Sequence, residues 1–390
     1  MLSEKSRPVI EATLPVIAAR IDEITPKFYH RLFEAHPELM DGMFSRANQQ
    51  NGTQQRALAG SIAAFASHLL AHPGTLPEAV LSRIAHKHTS LGIPESGYPI
   101  VYEHLFAAIA EDLGDAVTPQ VGEAWTEVYW LMADALIKLE QGLYAQQAND
   151  EMWTMWRVTA KEAAGAGSIT FRLTPADSTP VTRATPGQYV SVRVRLADGL
   201  RQARQYSLSD RVDSLTERVF TTKLDEGGEV SPHLHGSVDV GDVVELSNPY
   251  GDIELDDSDA PIVLATAGIG CTPSASILQS LAQRDSERRV LVLHAEQRAE
   301  NWALAGQMRA AVQQLPNAEL QLWLEESAEG VEAEAGFMDL NGIDLPAGAK
   351  LYLCGPVPFM RSIRSQAITA GIPATDIHYE VFGPDIWLAA

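Results

Sequence analysis

PIVLATAGIGCTPSASILQSLAQ, Pro261 to Gln283, reads as a β-strand, a tight glycine turn and an α-helix in immediate succession. Gly268 and Gly270 permit the sharp turn and the close approach of a pyrophosphate. Pro273 suits a first helical turn, whose free N–H groups attract anions. Gly268, Ile269, Gly270, Cys271, Thr272 and Pro273 are therefore a candidate dinucleotide cradle, with proline standing where the third glycine of G-x-G-x-x-G would fall. Alone, such a turn serves equally well as mere structure.

The same alternation continues downstream. RVLVLHAE (289–296) precedes WALAGQMRAAVQQ (302–314), KLYLCG (350–355) precedes FMRSIRSQAITAG (359–371), and IHYEVFG (377–383) follows. Strands alternating with helices predict a parallel sheet covered on both faces. Upstream the pattern differs. Val190, Val192, Val194 and Leu196 alternate with Ser191, Arg193 and Arg195 after Gly187-Gln188-Tyr189, the period of a strand with one wet face. Short strands at Arg218 to Leu224 and Asp242 to Leu246 are set off by turns at Gly227-Gly228 and Gly251.

The first 147 residues carry helical periodicity instead, punctuated by Pro26, Pro37, Pro73-Gly74, Gly92-Ile93-Pro94 and Thr118-Pro119. From Trp125, the residues Val128, Met132, Leu136, Leu139 and Leu143 recur three or four apart as one buried face. The expected division is 1–147, all helical; 151–258, antiparallel β; and 259–390, α/β with a parallel sheet. The boundary falls within Ala148 to Trp156.

At 390 residues the chain exceeds what one core supports. Its net charge of -22 argues against nucleic acid or an anionic membrane surface as partner. Cys271 and Cys354 are the only cysteines and lack metal-ligand spacing. No apolar run approaches the ~20 residues of a membrane span, and the N-terminus has no signal-peptide core. A cytoplasmic location is expected.

Within the helical part, Val80, Ile84 and His88 lie four apart on one stripe, while His86 follows Ser82 and is expected to face outward. A lone inward histidine is compatible with a core residue as well as with a ligand. Gln54 heads the line of Leu58, Ile62, Phe65 and Leu69. Glu140 occupies the line of Leu136 and Leu143, where burial without a partner costs several kcal/mol. Each alone is compatible with a helix end meeting water; together they outline a pocket with a donor on one side and a carboxylate-supported histidine on the other.

In these motifs the chain resembles the flavohaemoglobin family of nitric oxide dioxygenases over essentially its whole length. FYHRLF, MFSRANQQNGTQQRAL, IAHKHTS, GYPIVYEHL and LEQGLY carry the globin half of the resemblance. It implies haem b held through His88 at the iron, with Tyr98 and Glu140 behind it, Tyr29 and Gln54 on the oxygen side, and Phe44 and Leu58 lining the pocket. RQYSL matches the flavin strand, implying FAD contacts at Arg204, Gln205, Tyr206 and Ser207, with Tyr189 from PGQYV. EGGEVS (226–231) adds backbone donors for phosphate. EVFGP implies a flavin cover of Val381, Phe382, Gly383 and Pro384. CGPVPFM resembles the family's second nicotinamide motif, Cys354 being a small neighbour rather than a nucleophile. Lys87 and Glu380 match positions at the haem–flavin boundary, where surface salt bridging is the plainer alternative. Pro232-His233 and Cys271 depart from the commoner pattern, the latter bearing on the nicotinamide contacts.

The resemblance implies an all-α globin, an antiparallel Greek-key β-barrel for FAD and an α/β parallel-sheet domain for NADH or NADPH. Hydride would pass to FAD, single electrons to haem, and O2 and nitric oxide would leave as nitrate, with no separate electron-carrier protein. The rivals are reduction of other acceptors, such as an alkyl hydroperoxide or anaerobic nitric oxide, and an oxygen carrier or gas sensor. The fused reductase weighs against the sensor more than against the carrier. Glu296 and Arg298 leave the choice between NADH and NADPH open.

Overall fold

The computed structural model describes residues 1–326 and 329–383. By contact these fall into two compact units, one of 1–152 with 195–203, the other of 153–194 with 204–383.

The first unit is helical: α1 (Arg7–Ala35), α2 (Arg46–Gln50), α3 (Thr53–Ala71), α4 (Glu78–Leu91), α5 (Gly97–Leu113) and α6 (Pro119–Ala145). Pro26 does not punctuate a helix as expected, because Pro15 and Pro26 both lie inside α1. An interior proline costs about 3 kcal/mol. Ile17, Ile21, Ile24, Phe28 and Leu32 form a buried stripe on either side of it, each contributing roughly 1.5–3 kcal/mol by burial, so packing outweighs the break. Thr118 caps α6 as expected, its Oγ1 accepting the Val121 N–H at 3.3 Å. Leu139 is exposed, against expectation. The buried row of α6 steps from Leu136 by four to Glu140 and so passes Leu139 by.

Two sheets follow, both in the second unit except for residues 195 and 201–203, which cluster with the helical unit. β1 (Thr154–Gly165), β2 (Ser168–Pro175), β3 (Tyr189–Arg195), β4 (Arg201–Ser207), β5 (Arg218–Lys223) and β6 (Val243–Leu246) form an antiparallel sheet ordered β4-β3-β6-β1-β2-β5, with α7 (Val230–Ser237) between β5 and β6. The neighbours β3–β6 and β2–β5 are not consecutive in the chain, which is Greek-key wiring. Just past β4, Leu208 bridges Phe220 of β5, and Ser209 N–H donates to Val219 O at 3.0 Å, joining the two outer strands and closing the barrel. On the face of β3 read as wet, Arg195 is exposed and Arg193 half-buried, but Ser191 is fully buried, its N–H donating to Ser247 Oγ.

The remaining strands, β7 (Ile262–Ala267), β8 (Val290–Glu296), β9 (Ala318–Leu324), β10 (Glu334–Ala335), β11 (Lys350–Cys354) and β12 (Ile377–Glu380), make a parallel sheet ordered β10-β9-β8-β7-β11-β12. Its helices are α8 (Cys271–Gln283), α9 (Ala305–Gln314) and α10 (Val357–Thr369). Trp302 to Leu304 were expected to open α9 but precede it, Leu304 adopting a left-handed φ of 61° at the cap. Among the described residues no helix is long and apolar enough to cross a membrane.

Candidate functional site

His88 sits in the last turn of α4, which Gly92 ends with a left-handed φ of 73° while Ile93 N–H donates to His88 O at 3.1 Å. The deepest row of α4 is Leu81, Ala85 and Thr89, not the expected Val80–Ile84–His88, which is half-buried one position away. His86 is also half-buried rather than outward-facing. The offset leaves the imidazole at the edge of the packed core and not inside it.

Three side chains converge there. Glu140, only 2% exposed, accepts from His88 Nδ1 at 2.8 Å and from Tyr98 Oη at 2.6 Å, and Tyr98 Oη is itself 3.1 Å from His88 Nδ1. A carboxylate only accepts, so the proton of the imidazole lies on Nδ1 and Nε2 carries a lone pair. Nε2 has no hydrogen-bond partner among the described residues. Tyr129 Oη donates to Tyr98 O at 2.6 Å, fixing the tyrosine from behind. Burial, then the adjoining Glu140 charge, pushes the Tyr98 hydroxyl well above the usual tyrosine range, so it remains a donor.

Tyr29 is buried on α1 and Gln54 lies in the first turn of α3, its amide near enough to act on the Tyr29 hydroxyl. Burial raises the Tyr29 hydroxyl, an effect the Gln54 contact opposes. Phe33 stacks on Tyr29 at 5.7 Å, Phe44 meets it edge-on at 6.1 Å, and Leu58 packs in the same cluster. That cluster and the one containing Leu81, Ala85, Tyr98 and Leu136 share Ile62, Phe106 and Tyr129 as packing neighbours.

In the second unit, β4 carries Arg204, Gln205, Tyr206 and Ser207 in a row. Tyr206 stacks on Phe220 at 5.5 Å, and Phe220 on Phe171 at 5.4 Å. Gln205 Nε2 donates to Ser191 Oγ at 2.9 Å. Burial lowers the Arg204 guanidinium from its usual range, with Tyr206, Glu229 and Asp225 opposing. Ser207 is 3% exposed and its Oγ has no hydrogen-bond partner among the described residues. Tyr189 is buried and exchanges both backbone hydrogen bonds with Tyr250.

AGIGCTP and CGPVPFM, separate in sequence, meet. A Cβ on Gly270 would lie 2.4 Å from Cys354 O, so only glycine fits. Gly268, Ile269 and Gly270 form a short turn from β7 into α8, whose first residues are Cys271, Thr272 and Pro273. Burial pushes the Cys271 thiol up to about 12 and the Cys354 thiol well above its usual range, which suits neither as nucleophile. Glu380, on β12, is 7% exposed and pairs in register with Cys354. Val381 is buried and Phe382 is 43% exposed, followed by Gly383; Pro384 lies outside the described residues. Lys87 is half-buried beside His88, in the other unit from Glu380.

Some features escaped the sequence. β9 and β10 were missed, although AELQLWL alternates as a strand should. Nothing local marks the run 195–203 as clustering with the helical unit. The partnership of Gln202 and Arg201 with residues 40–46 likewise has no short-range pattern.

The chain matches the globin family over residues 26–136, the oxidoreductase FAD-binding domain over 155–255 and the oxidoreductase NAD-binding domain over 264–365. It is 40% identical to a flavohemoprotein of Chromobacterium violaceum, the match covering 98% of each chain. The crystal structure of a flavohemoglobin from Malassezia yamatoensis with bound FAD and heme superposes with a TM-score of 0.93 at 44% identity, covering 98% of this chain and 100% of that one. The FAD/NAD-binding domain of a nitric oxide dioxygenase from Vibrio cholerae matches at 35% identity with a TM-score of 0.56, over 59% of this chain and 99% of that one.

Proposed function

Because the chain belongs to the flavohemoprotein family, we propose that it is a nitric oxide dioxygenase of the cytoplasm, built as a haem domain (1–147), a flavin domain (151–258) and a nicotinamide domain (259–390). The observation that carries the oxygen-activating part of this reading is the hydrogen bond of 2.8 Å from His88 Nδ1 to a buried carboxylate.

The residues fit the groups required. His88 offers Nε2 as a free imidazole donor, Ser207 offers a buried hydroxyl, and the abutting Gly270 and Cys354 turns leave backbone for a dinucleotide to lie against. Haem would be held by His88 between Phe44 and Leu58 on the far side and Tyr98 and Glu140 behind. FAD would lie on Tyr189, Arg204, Gln205, Tyr206 and Ser207 under Val381, Phe382, Gly383 and Pro384. The nicotinamide nucleotide would follow Gly268, Ile269, Gly270, Cys271, Thr272 and Pro273. Bound, these groups supply hydride acceptance, its division into single electrons, and oxygen binding.

The protein's contribution is electrostatic and positional. Glu140 keeps the Nδ1 proton of His88 engaged, which makes Nε2 a stronger donor, and Tyr98 prevents the carboxylate from turning away. Tyr29, kept protonated by burial, presents an O–H that Gln54 orients towards negative charge developing on the substrate. Lys87 and Glu380 would shape the electron path. No separate electron-carrier protein is required.

Anaerobically reduced protein, oxygenated and mixed with nitric oxide in a stopped-flow cell, is expected to yield nitrate stoichiometrically and fast. Slow or absent nitrate, with turnover on alkyl hydroperoxide or anaerobic nitric oxide instead, would transfer the function to those acceptors; oxygen binding without turnover would leave a carrier.

NADH is the expected donor. Arg298 is engaged by Glu326 at 2.8 Å, whereas Glu296, at the end of β8, is 7% exposed with Oε1 unpartnered among the described residues and 3.9 Å from where a Gly268 Cβ would stand. A carboxylate there accepts from a ribose 2′-hydroxyl and repels a 2′-phosphate. kcat/KM should favour NADH over NADPH by at least about tenfold, the worth of ~1.4 kcal/mol, and Glu296→Ala should narrow the gap. Equal values for the two nucleotides in the unmodified protein would refute this.

A further inference from the structure

We infer that Gln202 is a positioning residue for the oxygen side of the haem pocket, acting through Phe44; this rests on the haem-pocket reading above. Gln202 is fully buried within the run 195–203 that clusters with the helical unit. Its amide reaches three parts of one irregular segment. Nε2 donates to Met40 O at 3.1 Å and Phe44 O at 3.3 Å as well as to Arg201 O at 3.0 Å, and Oε1 accepts the Arg46 N–H at 3.3 Å.

The segment needs such a brace. Residues 41–45 connect a short 3-10 turn to α2 and form no helix or strand of their own; Asp41 N–H donates to Glu38 O at 3.0 Å and Gly42 N–H to Met40 O at 3.2 Å, so the local bonds are those of isolated turns and not of a continuous ladder. Phe44 N–H reaches Leu39 O at 3.3 Å, a long bond for a turn that carries a pocket side chain. Beside Gln202, Arg201 fastens Asp41 through its backbone N–H at 2.7 Å and its guanidinium at 2.6 Å and 3.1 Å, while Arg46 pairs with Asp198 at 2.5 Å. These outer pairs are partly exposed and individually contribute little. The buried amide is the specific element: removing it takes the Gln202 contact away from Met40 O, Phe44 O and the Arg46 N–H together, at the site where Phe44 turns inward.

Phe44 passes the effect on. Its ring stands edge-on to Tyr29 and to Phe33, at 6.1 Å and 5.2 Å, so a shift of the segment moves the aromatic wall around the Tyr29 hydroxyl. Gln202 therefore sets where Tyr29 and its O–H stand without touching substrate.

The test is a double-mutant cycle on the full-length, haem- and FAD-loaded protein, read by oxygen dissociation and by the infrared C–O stretch of the carbon monoxide complex. Gln202→Met keeps the volume and removes the amide. It should speed oxygen dissociation about fivefold, the factor for one net hydrogen bond, and broaden or split the C–O band while haem content stays full. In a Phe44→Ala background the same change should have no further effect, because the coupling runs through that ring. Gln202→Asn, which keeps the amide but shortens its reach, should fall between and serves if the methionine variant does not fold. Unchanged dissociation in both Gln202 variants, or fully additive effects with Phe44→Ala, would overturn the inference. Failure of the haem reading would be visible separately, in the parent, as the absence of a reduced–carbon monoxide Soret band.

Discussion

His88→Ala is expected to leave a chain that keeps FAD and its NADH–ferricyanide activity but loses nearly all its haem and with it nitrate formation. Nε2 of His88 lacks any other partner among the described residues, and Nδ1 is already committed to Glu140 and Tyr98. Alanine deletes the ligand and also strips one of the two donors from a carboxylate that is 2% exposed. The apo helical unit should therefore lose about 1–3 kcal/mol of stability in addition. Loss of haem through general unfolding is separated from loss of the ligand by added imidazole, which fits the vacated space and should restore a Soret band. Haem content from the pyridine haemochrome and the Soret position are the measurements. Full occupancy with an unchanged spectrum would remove His88 from the iron and dissolve the pocket assignment.

The legibility of that pocket in sequence follows from its geometry. His88 and Glu140 lie on helices whose period singles each of them out, whereas Tyr98 was marked only by the family resemblance of GYPIVYEHL. What periodicity does not resolve is an offset of one position. The deep row of α4 is Leu81–Ala85–Thr89, and the predicted Val80–Ile84–His88 row flanks it, which is where a residue lining a cavity rather than filling a core should be. The exposure of Leu139 has the same origin. Its neighbour Glu140 takes the inward position that an apolar repeat would assign elsewhere, because hydrogen bonds from His88 and Tyr98 compensate the buried charge.

Other features were not readable because their causes are non-local. Pro26 looks like a helix boundary, yet the stripe from Ile17 to Leu32 is buried by helices distant in sequence. Ser191 looks like the wet side of β3, yet it is buried against Ser247 and Gln205 of other strands and turns. Gln202 has no local signature, since a buried glutamine is recognisable only by the three backbone groups it reaches some 160 positions away. The glycine turn at 268–270 was legible as a turn, but its necessity comes from Cys354, at the end of the neighbouring strand β11 and more than eighty positions on, pressing against Gly270.

Arg204→Ala should weaken FAD binding by about a hundredfold, the effect of losing ~3 kcal/mol from a desolvated guanidinium facing a pyrophosphate. Burial already depresses this arginine, so the strand holds the charge ready at a cost, one that a bound dianion would offset. Its row of neighbours narrows the alternatives. Tyr206 is stacked on Phe220 and Phe171 and cannot swing to compensate, Gln205 is tied to Ser191, and Ser207 presents a buried hydroxyl that the protein itself leaves unsatisfied. A planar ring system with hydrogen-bonding edges, attached to a diphosphate, meets all of these requirements at once. Arg204→Lys should recover only part of the affinity, because an ammonium cannot make the paired, coplanar contact. FAD retained after gel filtration and the flavin fluorescence titration of apoprotein measure the outcome, with haem content as the internal control. Parent-like FAD affinity in Arg204→Ala would show that the diphosphate lies elsewhere and that the burial of this arginine serves the barrel alone.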